Sequence, residues 1–196
     1  MKPFFAAVAL AVMLPLAALA AETTAQVGKP APAFTLKDEA GKEHSLSQYK
    51  GKVVVLEWTN PGCPFVQRHY TAGTMKKTLS GFDANKVVWL AVDSTSGNAA
   101  EKSAAWKKEK GFTYPVLQDA SGTVGKSYGA KTTPHMYVID EQGVVRYAGA
   151  IDDDPRGNKK EGITNHVKTA VDALLSGKPV PAATTEPYGC SVKYKS

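Results

Sequence analysis

Cysteine is scarce in this chain: Cys63 and Cys190 are the only two in 196 residues, and they form no Cys-x-x-Cys pair. A dithiol centre built from neighbouring cysteines is therefore excluded. Histidine is nearly as thin, with four residues scattered along the sequence. No metal-ligand spacing results, so neither a metal nor any other cofactor is expected. No internal repeat is visible. The formal charge is +6, but the basic residues are dispersed: Lys107, Lys108 and Lys110 share one helix face, and Lys159 and Lys160 sit in a loop. Without a basic stripe interleaved with aromatics, nucleic acid is not an expected partner. Asp152, Asp153 and Asp154 lack the further spaced oxygen ligands of a calcium loop and read as a solvated turn.

Long apolar runs are equally rare. One exists, Phe4 to Leu19, preceded by Lys2, interrupted by Pro15 and followed at once by Glu22, Thr23 and Thr24. Ala18-Leu19-Ala20 offers the small-x-small pattern of a cleavage site, so residues 1–20 read as a signal peptide and not as a membrane anchor. No cysteine lies nearby to carry a lipid. The expectation is an exported, periplasmic protein with no membrane span after cleavage and with its oligomeric state left open. The chain that remains is long enough for one domain with its own core, expected over residues 21–175, followed by a tail over 176–196.

The elements follow from periodicity and punctuation. Phe34-Thr35-Leu36 and His44-Ser45-Leu46 flank a Gly-containing turn, forming an N-terminal hairpin extension. Val53 to Trp58 is continuously apolar except for Glu57, which suits a central strand covered on both faces. A helix follows the Thr59–Pro64 loop to about Leu79. Lys86 to Val92 is a second central strand, and Ala99 to Lys110 a helix stopped by Gly111. Tyr114 to Leu117 is a short strand and Gly122 to Tyr128 a helical turn. Met136 to Ile139 and Val144 to Gly149 enclose a turn and form a hairpin. Thr164 to Leu175 places Val167, Val171, Leu174 and Leu175 on one helical face. Beyond it, Pro179, Pro181 and Pro187 mark an irregular tail. Alternating strands and helices that close on a hairpin and a helix imply an α/β fold with a mixed central sheet flanked by helices, in the order of a thioredoxin fold.

Cys63 falls where a central strand ends and a helix begins, with Pro64 favoured in the first helical turn. Unpaired N–H groups and the positive end of the helix dipole then surround the thiol and favour thiolate. Thiolate is the species that attacks disulfides and peroxides. A buried structural cysteine is the alternative.

The segment Leu56-Glu57-Trp58-Thr59-Asn60-Pro61-Gly62-Cys63-Pro64-Phe65-Val66 resembles the strand-loop-cysteine-helix region of thioredoxin-like proteins. Thr132-Thr133-Pro134-His135-Met136-Tyr137-Val138-Ile139-Asp140, with Gly143 beyond it and Tyr128-Gly129 before it, resembles their proline-bearing strand and hairpin. The resemblance spans roughly residues 27 to 175. It is to the exported redoxins, the peroxiredoxin-like set of the alkyl-hydroperoxide-reductase/thiol-specific-antioxidant type. It implies a cis peptide before Pro134, a proline lying against Cys63, and a Thr133 backbone offered to a partner chain. It also implies a thiol-dependent antioxidant oxidoreductase whose partners are protein thiols or disulfides, or peroxide with an external thiol reductant.

The chain departs from both relatives. Val66 stands where a thioredoxin has its second cysteine. Leu56 and Asn60 stand where a peroxiredoxin has proline and threonine, and Pro134 falls at the place of its peroxide-activating arginine. Cys190 can supply the absent partner. The fifteen steps from Leu175 to Cys190 reach about 50 Å when extended, against a radius of gyration near ~15 Å for a domain of this size. Cys190 is thus a candidate resolving cysteine. It is equally a candidate staple, since closing so long a loop adds about 4 to 5 kcal/mol.

Glu57, a carboxylate in an apolar strand, is a candidate proton shuttle with a raised pKa, unless it points to water. Trp58, Asn60, Pro64, Thr133, Pro134 and His135 complete the expected substrate-binding surround, with Trp58 more core than chemistry. His69 is given little weight. The competing function is a non-catalytic peptide-binding module with a structural Cys63–Cys190 disulfide.

Overall fold

The computed structural model describes residues 24–195, so the expected signal peptide lies outside the described residues. Nine strands and five helices run through the described chain. They are β1 (Thr35–Lys37), β2 (Glu43–Ser45), β3 (Val53–Trp58), α1 (Pro64–Ala72), α2 (Thr74–Ser80), β4 (Val87–Asp93), α3 (Ala100–Lys110) and β5 (Val116–Gln118). After these come α4 (Thr123–Tyr128), β6 (Thr132–Thr133), β7 (His135–Ile139), β8 (Val145–Gly149), α5 (His166–Leu175) and β9 (Cys190–Ser191).

Seven strands form one mixed sheet in the order β2-β1-β5-β4-β3-β7-β8. β3 pairs in parallel with β4, and β4 with β5, while β7 and β8 are antiparallel additions. β3 lies between β4 and β7, and all six of its residues are buried. Such a strand needs apolar side chains on both faces, which is why it reads as a run and not as an alternation. Its odd-numbered members Val53 and Val55 face a core shared with α1, α2, α3 and α5, where Val66, Met75, Trp106 and Val171 pack. Val54, Leu56 and Trp58 face a second core, shared with Phe34 of the N-terminal segment and with Val124 and Tyr128 of α4. This is a thioredoxin-type α/β layering: a mixed sheet between two layers.

The helix expected from Pro64 to Leu79 is two helices. Gly73 adopts φ 70°, where its amide bonds back to the carbonyls of His69 and Tyr70, closing α1 before α2 begins. Glycine takes this left-handed backbone without a Cβ penalty. The stretch after α5 is irregular for most of its length, as expected, but not throughout. Cys190–Ser191 form β9, which pairs antiparallel with β6 in the register Thr132↔Ser191 and Thr133↔Cys190. Thr184 also bridges to Ala148 beside the edge strand β8. The tail therefore returns across the sheet.

No helix among the described residues is long and apolar enough to cross a membrane.

Candidate active site

The sheet delivers the loop after β3 to the start of α1. Thr59 still donates its amide to Val92 O (2.9 Å), so the chain leaves the sheet only at Asn60. Asn60 then builds the turn: its side-chain Oδ1 accepts from Gly62 N (2.7 Å) and its carbonyl from Cys63 N (2.9 Å). Asx side chains mimic a backbone turn in this way. Cys63 is the N-cap of α1 with an extended backbone (φ −84°, ψ 123°), and Pro64 occupies the first turn, where no N–H is needed. Gln67 Nε2 donates to Pro61 O (2.6 Å) and ties the new helix to the loop.

Cys63 is 2 % exposed, between the exposed residues Gly62 and Pro64. Its Sγ lies 3.0 Å from Thr133 O and 2.8 Å from Cys190 Sγ. Both cysteines are free thiols. The peptide between Thr133 and Pro134 is cis. Thus residues 127 positions apart meet because β6 presents Thr133 to the cap of α1 on one side and to β9 on the other.

The two thiols differ in acidity. Burial alone raises the Cys63 pKa, but the hydrogen bond with Cys190, the side chain of Thr133 and the Val66 amide outweigh it and bring it below the ordinary 9.0. Val66 sits in the first turn of α1, where N–H groups lack intrahelical acceptors and the dipole is positive. Cys190 moves the other way, to about 11, through burial and then through the hydrogen bond and charge of Cys63. Of the two, Cys63 is therefore the thiol that gives up its proton more readily. The Thr133 carbonyl accepts from Cys63 only in its neutral form. The Thr133 hydroxyl, buried without another partner among the described residues, is free to donate to the thiolate.

Glu57 is fully buried. Its Oε2 accepts from Trp89 Nε1 (2.9 Å) and Tyr70 OH (3.1 Å), and Tyr70 in turn accepts from Tyr114 OH (2.8 Å). Burial raises its pKa to about 7, although the bonds from Trp89 and Tyr70 oppose the rise. Oε1 has no hydrogen-bond partner among the described residues. Glu57 faces the same core as Cys63, since Tyr70, Trp89 and Tyr114 belong to that layer.

The remaining expected residues separate. Asn60, Pro64, Thr133 and Pro134 frame Cys63. Trp58 and His135 pair across β3 and β7 on the other side of the sheet. Trp58 is packed against Tyr128 and Tyr137 and bonds Ser94 Oγ (3.1 Å). His135 packs at a tilt against Tyr137 and accepts from Lys131 N (3.2 Å). Burial and then the nearby Lys131 depress the His135 pKa to about 4, so it is neutral and does not face the thiols.

Several residues beside the site escape sequence reasoning. His69 is buried with Nε2 3.0 Å from Tyr188 OH. Arg68 Nη2 reaches the same hydroxyl at 3.4 Å and Asp154 O at 3.0 Å. Tyr188 donates to Asp152. Asp152 and Asp154 are accordingly buried at 6 % and 7 % exposure, and only Asp153 of the acidic run behaves as the expected solvated residue. Asp154 is drawn inward because its carboxylate accepts from the Asn158 and Lys159 amides. The one local signal was the pair of tyrosines, Tyr188 and Tyr194, that flank Cys190 in an otherwise sparse tail. Among the described residues no cluster of metal-ligating side chains occurs.

Residues 27–148 match the AhpC/TSA family. The chain belongs to that family. It is 32 % identical over 126 residues to the thioredoxin-like protein YneN of Bacillus subtilis, covering 64 % of this chain and 72 % of that protein. Similarity extends to the thiol-disulfide oxidoreductase ResA of Geobacillus thermodenitrificans, at 30 % identity over 64 % of this chain and 70 % of that protein. Among solved structures, hypothetical protein SMc02350 from Sinorhizobium meliloti superposes with a TM-score of 0.77 at 27 % identity, over 89 % of this chain and 97 % of that one. The protein is a thioredoxin-fold thiol oxidoreductase of the redoxin type.

Proposed function

We propose that Cys63 is the attacking thiolate of this oxidoreductase and Cys190 its resolving partner, and that the pair cycles between dithiol and disulfide. The observation that carries the reading is the 2.8 Å approach of the two sulfurs, with Cys63 the more acidic of the pair. In the first step the Cys63 thiolate attacks one sulfur of a disulfide R–S–S–R, forming Cys63–S–S–R and expelling RS⁻. Cys190 then loses its proton to RS⁻ and attacks Cys63 Sγ. A second RS⁻ leaves, and two thiols have been oxidised as one disulfide is reduced. With a peroxide, the same thiolate takes one oxygen to become a sulfenic acid and releases an alcohol or water. Cys190 condenses with it, giving the disulfide and water. The place of the peroxide-activating arginine is taken by Pro134, so the leaving oxygen lacks that arginine's help. Disulfide exchange is the favoured chemistry.

Glu57 serves as the proton reservoir beneath the pair. A carboxyl with a pKa of about 7 holds and yields a proton at neutral pH, which suits general acid–base work. Thr133, Pro134, Asn60 and Pro64 position Cys63, and Trp58 and His135 support the sheet behind it. One redoxin domain over 21–175, with a leader over 1–20 and a tail over 176–196, places this chemistry in an exported protein. The dithiol is regenerated by an external thiol reductant: two R′SH reduce the Cys63–Cys190 disulfide through a mixed disulfide and leave as R′–S–S–R′.

The test compares wild type, Cys63→Ser and Cys190→Ser with oxidised glutathione. Wild type reaches the internal disulfide, Cys63→Ser does not react, and Cys190→Ser stops at one glutathione adduct per chain, read by intact mass. An adduct on Cys190 in preference to Cys63 would overturn the assignment.

A further inference from the structure

The tail occupies the strand position that a polypeptide substrate would take. β9 lies on β6 with Cys190 opposite Thr133, so the backbone edge beside Pro134 is already paired. The contacts extend on both sides. Val192 N donates to Lys131 O (3.0 Å), and Ser96 N to Lys193 O (2.7 Å). Upstream, Tyr188 sits in a polar slot made by Asp152, His69 and Arg68. Downstream, Tyr194 OH donates to Ala130 O (2.8 Å). Its ring fills space that exists because α4 has glycine there: a Cβ on Gly125 would lie 2.6 Å from the Tyr194 ring, and one on Gly122 2.7 Å. Gly189 is similarly shaped to the groove, since a Cβ there would lie 2.1 Å from Thr133 O. Two aromatic pins thus bracket Cys190, one two residues before it and one four residues after.

We propose that this strap makes the site selective for small oxidants, because Tyr188 and Tyr194 hold Cys190 in the groove and deny an extended protein disulfide the β6 edge. The inference rests on the assignment of Cys63 as nucleophile. A small disulfide has no need of β6: it approaches Cys63 past the exposed Gly62 and Pro64. A disulfide within a protein must bring its backbone with it, and the edge of β6 is already paired with β9, with Val192 N on Lys131 O beyond the pair. The Cys190 proton leaves on the displaced small thiol. Tyr188 and Tyr194 are positioning residues. They touch neither sulfur but set where Cys190 stands.

The experiment uses the full chain with two substrates, oxidised glutathione and insulin, under a common thiol reductant. Wild type is expected to consume oxidised glutathione and to leave insulin at the background rate. Tyr188→Ala/Tyr194→Ala is expected to gain at least about tenfold on insulin as the intramolecular competitor is lost. Tyr188→Phe and Tyr194→Phe, which keep the rings and the fold, give smaller gains of the same sign. The variants also make Cys190 more reactive to iodoacetamide, which a purely structural loss elsewhere would not do. Wild type reducing insulin within about threefold of its glutathione rate would overturn the proposal, as would variants that expose Cys190 and gain nothing on insulin. Inertness of wild type toward both substrates would instead overturn the nucleophile assignment.

Discussion

At the residue scale, the environments of Cys63 and Glu57 make opposite demands on charge. Cys63 is buried yet its pKa is lowered, because Cys190, Thr133 and the first turn of α1 stabilise negative sulfur. Glu57 is buried in the same layer with two donors on one oxygen and none on the other, which leaves ionisation unfavourable. With its pKa moved from 4.5 in the unfolded chain to about 7 in the fold, the folded state binds the proton more tightly. Stability is then fullest below pH 4.5 as far as this group is concerned, and it declines as the pH rises toward 7. The shift corresponds to about 3 kcal/mol once Glu57 is ionised in both states. Urea unfolding from pH 5 to 8.5 should show this decline in wild type and a flatter profile in Glu57→Gln, which keeps an acceptor for Trp89 and Tyr70. Equal slopes in the two proteins would contradict the placement of the raised pKa on Glu57. The same variant should slow thiol exchange at neutral pH while leaving the glutathione adduct on Cys63.

At the element scale, the site is made by two short pieces of backbone, the cap of α1 and the β6–β9 pair. Gly189 is the sensitive position in the second. Its φ of 142° and the 2.1 Å approach of a would-be Cβ to the Thr133 carbonyl leave no room for a side chain, and the obstacle is backbone that cannot swing aside. Gly189→Ala should separate β9 from β6 and slow closure of the Cys63–Cys190 disulfide by at least about tenfold, through lost proximity. Rapid-quench alkylation and mass measurement check this. Closure at the wild-type rate would show that the pairing does not position Cys190. Gly125→Ala should act in the same direction, but less, because the atoms it meets are side chains of Tyr194 and Ser94.

Elements were legible in the sequence where the signal is local. β3, α3 and the β7–β8 hairpin fall within a residue or two of their expected bounds, since apolar runs, glycine stops and turn residues act over a few positions. The cap position of Cys63 was legible for the same reason. What was not legible depends on distant partners. β9 is two residues long, and its pairing is decided by Thr132–Thr133, some 58 positions earlier in the chain. His69 carries no useful spacing from Cys63, yet it is buried against Tyr188 and Asp152, which a local pattern cannot anticipate. The same distance explains the acidic run: Asp152 is drawn inward by a tyrosine 36 residues away. Gly73 was a local signal, but the apolar pattern continues across it and masked the break between α1 and α2.

At the scale of the whole molecule, the redoxin sheet supplies one cysteine and the returning tail the other. The sequence lacks the neighbouring thiol of a thioredoxin because Val66 is a core residue of α1, fully buried. The fold compensates by bringing a second thiol across 127 positions of chain. An arrangement of this kind serves either as a permanent staple or as a working couple, and the two differ in potential and not in geometry. The unequal acidities of the pair favour the working couple: a disulfide one of whose thiols has a lowered pKa is easier to reduce. The most direct measurement is the redox state of the full chain equilibrated at a series of glutathione ratios, read by intact mass as the loss of two hydrogens. A reversible Cys63–Cys190 couple with a potential clearly above about −300 mV is predicted. A couple at or below about −300 mV, or two thiols that stay reduced at every ratio, would contradict it.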